Sequence, residues 1–239
     1  SRMYPLYEQV EEYCESEPDK PMILCEYCHS MGNGAGDYED YFEMIEKYDC
    51  LCGGFIWEWC DHAIYKGTAE NGKDIYYYGG DHGEYPNDGN FCMDGMVYPD
   101  RTPHTGLLEY KNVHRPVRVV EYNQTEGYVI LKNEMNYLSL QEYVDVAYQV
   151  TCDGTLMESG RLDLTDVPAI RPHQTGNVQL PVNVPEKGRV YFKLTYQLKH
   201  TDAFRSQGYE LGFDEILLEN VDGSNRRVTD WLKSSVENA

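Results

Sequence analysis

Hydrophobic and polar positions along this chain change their period about halfway. Leu6, Val10 and Tyr13 recur at helical spacing, which predicts a short amphipathic helix over 6–14 that Pro18 and Pro21 end. Residues 22–27 form an apolar run of strand length. Residues 37–48 return to the helical period, with Tyr38, Tyr41, Phe42 and Ile45 on one face and Glu39, Asp40, Glu43 and Glu46 on the other. Residues 52–59 predict a second buried strand. Apolar strands flanking a helix predict a parallel pair. Residues 61–110, rich in Gly, Asp, Asn and Tyr, are too long for a mere connection and predict a functional loop.

From about Val117 the period becomes two. Val144, Val146, Tyr148 and Val150 share one face of a strand over 143–151. Val190, Phe192, Leu194, Tyr196 and Leu198 do the same over 189–199, and 209–213 repeats the pattern. Asp153-Gly154 is a hairpin signal. Short strands punctuated by Gly, Pro and Asn predict an immunoglobulin-like β-sandwich of roughly 100 residues. His114-Arg115-Pro116 marks the boundary, giving expected domains over 1–115 and 116–239. No internal repeat is visible.

The net charge of −21 weighs against nucleic acid or an anionic membrane as partner, since both need a basic face. No stretch approaches the roughly 20 apolar residues of a membrane span. Ser1-Arg2-Met3-Tyr4-Pro5 has no signal pattern and reads like the middle of something longer. Several of the eight cysteines lie in apolar runs, which predicts buried thiols in a reducing, cytoplasmic setting rather than a disulfide frame. The sequon Asn123-Gln124-Thr125 is read as silent. The 22 tyrosines fit a carbohydrate site, where rings stack on sugar faces, but they fit an ordinary core equally well.

The run over 22–27 carries a carboxylate, Glu26, near its end, followed by His29 and a glycine-rich turn. The mouth of a parallel sheet or barrel is where α/β enzymes place their chemistry. Glu26 is therefore either a catalytic group or a surface residue ending an apolar run. A carboxylate glycosidase would need a second acid nearby. His29 either orients Glu26, contacts a ligand hydroxyl or is structural. Cys25 and Cys28 have C-x-x-C spacing but lack the second pair a zinc site requires. Gly32-Asn33-Gly34-Ala35-Gly36 fails as a dinucleotide fingerprint, because Asp37 stands where its third glycine belongs. Strand alternation puts Trp57 and Trp59 on one side and Glu58 on the other, as a stacking floor or as core. Asp81, Asn87, Asp88, Asn90 and Asp94 surround Phe91 as a set of oxygen donors for a hard cation, or as a solvated loop.

Ile23-Leu24-Cys25-Glu26-Tyr27-Cys28-His29-Ser30-Met31-Gly32-Asn33 resembles the nucleophile motif of glycoside hydrolase family 2 β-galactosidases. The resemblance continues through Gly53–Trp59, Tyr78-Gly79-Gly80-Asp81, Asn87-Asp88, Phe91–Gly95 and Asp100–His104, in the family's order. It implies the C-terminal strand units of a (β/α)8 TIM barrel, followed by an immunoglobulin-like sandwich. It further implies hydrolysis of terminal β-D-galactose from galactosides such as lactose, by a retaining double displacement. Glu26 would be the nucleophile and Tyr4 its neighbour. His29 would contact sugar hydroxyls and Trp57 would floor the galactose ring. The Phe91 carbonyl and Asp94 would help hold Na⁺, and Asn87 would lie near Mg²⁺. The chain departs from well-known members at position 94, where they carry Asn, and at Glu58, where some have Asp.

The resemblance implies that the acid/base glutamate, the main Mg²⁺ ligands and most of the barrel belong to a missing N-terminal part of the same enzyme, a homo-oligomer when complete. The chain alone is then expected to be an inactive fragment. Two other readings remain open at this stage: another family 2 specificity such as β-glucuronidase, and a non-catalytic, carbohydrate-associated β-sandwich module.

Overall fold

The computed structural model describes residues 1–180 and 182–218. The chain divides into two compact units, Ser1–His114 and Arg115–Ala239. The last stretch of the expected sandwich, 219–239, lies outside the described residues. Among the described residues, no helix is long and apolar enough to cross a membrane.

The first unit opens with β1 (Arg2–Met3), α1 (Tyr7–Glu15), β2 (Met22–Tyr27), α2 (Tyr38–Lys47) and β3 (Leu51–Ile56). The strands form a three-stranded parallel sheet in the order β1-β2-β3. Val10 and Cys14 of α1, Tyr41 and Met44 of α2, and Met22, Leu24, Tyr27 and Leu51 of the sheet share one core. Leu6 precedes the helix and is exposed, while its backbone N–H is taken by the Gln9 side chain at 3.0 Å. On α2 the inward face turns on Met44, with Phe42 and Ile45 only half-buried.

The expectation of two buried strands needs correction. Ile23, Cys25, Cys52 and Phe55 are exposed, because the helices described here cover one face of the sheet. The register between β2 and β3 is also irregular. Leu24 pairs with Gly54 and Tyr27 with Ile56, so Cys25 and Glu26 together oppose Phe55 alone. This is a β-bulge, which bends a strand and re-aims the side chains it carries.

The region expected to be one long loop contains a hairpin, β4 (Ile64–Thr68) with β5 (Asp74–Tyr77), and ends in α3 (Thr105–Val113). Val113 of α3 packs with Tyr38 and Met96 in a second small core.

The second unit holds β6 (Val117–Asn123), β7 (Tyr128–Asn133), α4 (Leu140–Tyr143), β8 (Val144–Cys152), β9 (Thr155–Arg161), β10 (Thr175–Gln179), β11 (Val190–Leu198) and β12 (Glu210–Leu218). They form two antiparallel sheets, ordered β10-β7-β6 and β12-β11-β8-β9. The alternating residues of β11 are all buried, and with Val144, Val146 and Val150 of β8 they join Val117, Val129 and Leu131 from the other sheet. Asp153 and Gly154 turn β8 into β9 with positive φ of 48° and 80°, as a tight hairpin requires.

Strand β12 runs well past the predicted 209–213 because Asp214 interrupts its apolar pattern. Asp214 accepts from Arg115 Nη2 at 2.8 Å, from the Val119 backbone N–H at 3.0 Å and from the buried Tyr196 hydroxyl at 2.5 Å. Removing one partner of a buried charge cluster strands the others. Asp214→Ala should therefore lower stability by about 3 kcal/mol. Urea unfolding checks this: the midpoint should fall with the slope unchanged, and an unmoved midpoint would contradict it.

All eight cysteines are free thiols, and Cys25 and Cys52 are exposed where the sequence predicted buried ones. Burial pushes the Cys28 thiol up to about 12, helped by Asp37 and Asp40; burial and then the neighbouring Cys50 thiol do the same for Cys14. At pH 8, below that value, about one in 10⁴ of such groups is the reactive thiolate. Iodoacetamide at pH 8 should label Cys25 and Cys52 well before Cys14 and Cys28, as read by peptide mass. Equal labelling of Cys28 and Cys25 would sink this ordering.

Candidate functional site

Glu26 sits at the β2 bulge, half-buried, with Met3 of β1 as its strand neighbour. Just past β1, Tyr4 donates its backbone N–H to the Glu26 carbonyl at 2.9 Å. The Glu26 carboxylate also lies near enough to the Tyr4 phenol to bear on its protonation. Burial first, then that carboxylate, raise the phenol's pKa above its ordinary value, with Asp94 and Glu58 adding in the same direction. Tyr4 is thus a neutral phenol held beside Glu26 by its own backbone N–H.

His29 follows the strand. Its ring lies 5.8 Å from the Tyr4 ring and 5.8 Å from the Phe91 ring, centre to centre. Its Nε2 is 3.1 Å from Asp94 Oδ2, and the same oxygen accepts the Trp57 indole N–H at 3.1 Å. Asp94 is 2% exposed, and its other oxygen, Oδ1, is buried with no hydrogen-bond partner.

Trp57 does not occupy a strand position, so the alternation argument for Trp57 and Trp59 does not hold. Strand β3 ends at Ile56. Beyond it the chain is tied to the β2 exit, with the Trp57 N–H on the Tyr27 carbonyl at 3.2 Å and the Ser30 N–H on the Trp57 carbonyl at 2.8 Å. The Trp57–Glu58 peptide is cis. Trp57 remains 39% exposed and Trp59 62%, so neither is core.

The structure therefore brings Tyr4, Glu26, His29, Trp57, Phe91 and Asp94 together. Asn87 stands apart in the 78–93 loop. Its carboxamide donates to the Glu84 carbonyl and accepts from the Gly89 N–H, both at 3.1 Å, so each end has a partner within the turn. As a cation site, Asp94 fits: a buried anionic oxygen without a partner is what a hard cation takes.

Two further acids shape the site. Glu58 lies against Asp94, with His62 Nε2 at 3.4 Å. Burial and then the Asp94 carboxylate raise the Glu58 pKa, while His62 pulls the other way. Asp61 is buried, and its oxygens accept the Gly95 N–H at 2.8 Å and meet His104 Nε2 at 2.7 Å. His104 stacks on Tyr98 at 3.6 Å. The backbones of 58–61 and 94–97 are cross-linked by Glu58 N–H to Asp94 carbonyl at 2.8 Å, Met96 to Glu58 at 2.9 Å and Val97 to Trp59 at 3.1 Å. The Asp61–His104 clamp has no local sequence signal, since its partners are 43 residues apart. Glu58 was visible only as the middle of Trp-Glu-Trp.

Near the end of β2, then, a carboxylate stands beside a phenol, an exposed indole and an imidazole. Residues 1–119 match the TIM barrel domain of glycosyl hydrolases family 2, and residues 129–219 match domain 4 of beta-galactosidase. The chain belongs to glycosyl hydrolase family 2. It is 41% identical to a beta-galactosidase of Staphylococcus xylosus over 225 residues, covering 92% of this chain and 22% of that protein. Against one from Actinobacillus pleuropneumoniae the identity is 39% over 220 residues, covering 91% and 20%. Against one from Clostridium acetobutylicum it is 33% over 237 residues, covering 98% and 25%. The chain thus spans about a fifth to a quarter of these relatives.

Gly95 is where the clamp is tightest. A Cβ there would run into the Cys60 backbone and the Asp61 amide, neither of which can turn aside. Gly95→Ala should destabilise the first unit by about 1–3 kcal/mol, the usual range for overpacking. An unchanged thermal melt would show that the clamp is looser than described.

Proposed function

We propose that this chain carries the nucleophile side of a retaining β-galactosidase site. The observation that supports it best is Glu26 at the bulge, with Tyr4 held beside it by a backbone bond and His29 and Trp57 alongside. Glu26 attacks the anomeric carbon and forms a covalent glycosyl–enzyme, which water then hydrolyses. Tyr4 orients the Glu26 carboxylate. Trp57 offers its exposed face to the sugar ring and His29 contacts a hydroxyl.

Asp94 and the Phe91 carbonyl would hold Na⁺, which would supply a fixed positive charge for a sugar hydroxyl oxygen. A retaining mechanism also needs an acid/base carboxyl about 5–5.5 Å from the nucleophile. In this reading that group comes from barrel strands outside this chain, and the chain alone does not turn over. The second unit fits the immunoglobulin-like class through its β10-β7-β6 and β12-β11-β8-β9 sheets.

The decisive variant is Glu26→Gln in the complete enzyme. Hydrolysis of a nitrophenyl β-galactoside should fall by about 10³-fold or more, roughly 4 kcal/mol of lost transition-state stabilisation. A 2-deoxy-2-fluoro-galactosyl fluoride should add covalently to the Glu26 peptide of the unsubstituted enzyme. Undiminished turnover by Glu26→Gln would falsify the assignment.

A further inference from the structure

Asp94 does more geometrically than offer a free oxygen. Its Oδ2 lies 3.1 Å from both Trp57 Nε1 and His29 Nε2. An indole nitrogen can only donate, so Oδ2 is an acceptor toward Trp57. A carboxylate oxygen has only lone pairs to offer, so the His29 Nε2 contact also requires a proton on the imidazole. Among the described residues, no hydrogen bond uses His29 Nδ1, and 30% of the side chain is open to solvent. The carboxylate itself cannot swing away. Its residue is 2% exposed and is followed by Gly95, whose N–H is held by Asp61 at 2.8 Å.

We infer that Asp94 is a positioning residue: its Oδ2 ties the Trp57 indole to the His29 imidazole and fixes His29 as the Nε2–H tautomer. Nδ1 then keeps its lone pair and accepts a hydrogen bond from a hydroxyl of the ligand. The tautomer and the shared oxygen stand on geometry alone; the sugar-hydroxyl consequence rests on the glycosidase reading above. An ordinary asparagine at 94 would offer one carbonyl oxygen in place of Oδ2 but would add an amide donor at the second position.

Two-bond ¹H–¹⁵N correlation NMR of the whole 239-residue chain at pH 8 tests this. His29→Gln assigns the imidazole signals, and Trp57→Phe assigns the indole. The unsubstituted chain should show His29 protonated on Nε2. Asp94→Asn, which keeps an acceptor oxygen, should retain that tautomer. Asp94→Leu should release His29 to a mixed tautomer and shift the Trp57 indole proton upfield, with the Trp59 indole and the β-sheet amides unmoved.

An Nδ1–H tautomer in the unsubstituted chain overturns the inference. So does an unmoved Trp57 signal in a folded Asp94→Leu chain. Should Asp94→Leu not fold, the tautomer of the unsubstituted chain decides by itself. None of these readouts needs turnover. Undiminished activity in Glu26→Gln would therefore remove the nucleophile and leave the Asp94 link standing.

Discussion

The geometry of this site depends on two buried aspartates that must be satisfied. A carboxylate removed from water costs several kcal/mol unless donors replace its hydration. Asp61 meets that demand with the Gly95 amide and His104, and Asp94 with His29 and Trp57. Each therefore recruits partners from segments far away in sequence. The 94–97 segment is laid along 58–61, and the exit of β3 is fixed to the exit of β2. Those donors add to the backbone bonds that already hold 92–97 against 58–62.

Glu26 gains its position from a different source. Regular pairing would carry β2 evenly along β3, but the extra residue between Leu24 and Tyr27 breaks the pleat at Cys25 and Glu26. The same irregularity admits β1 on the other side, where Met3 pairs with Glu26 and the chain turns through Tyr4 at φ 45°. The strand defect and the Tyr4 N–H bond to the Glu26 carbonyl thus fall at the same point of β2.

Where the sequence was legible, the reason was period. Helices α1 and α2 and strands β2, β8 and β11 bury one face each, so apolar spacing announces them. The bulge was not legible, because pairing with β3 creates it. Trp57 and Trp59 were misplaced by alternation because β3 stops at Ile56, where hydrogen bonds to Tyr27 and Ser30 take over. Half of β12 was hidden because Asp214 points its charge at Arg115 and Tyr196, which a hydropathy pattern reads as loop. At the site, Glu26, His29 and Trp57 could be chosen from local motifs. Asp61 and His104 could not, since their meaning exists only once distant segments have met.

The charges around Glu26 also bear on which sugar the site suits. Glu26, Glu58 and Asp94 all act on Tyr4 in the same direction, raising its pKa, so the local field is negative. Glu58 is pushed toward its neutral form by burial and by Asp94 for the same reason. The donors facing these acids are a phenol, an indole and an imidazole. No guanidinium or ammonium group makes a described contact with Glu26, His29, Trp57 or Asp94. A carboxylated sugar brought into this field would meet like charge and leave its own carboxylate unpaired, a cost of several kcal/mol in a partly dry site. A neutral hexose carries hydroxyls that donate to carboxylates and to an unprotonated imidazole nitrogen, so acceptor-rich walls recognise it without that cost. Within the proposed reading, the charges that this chain contributes around Glu26 suit a neutral sugar better than a carboxylated one.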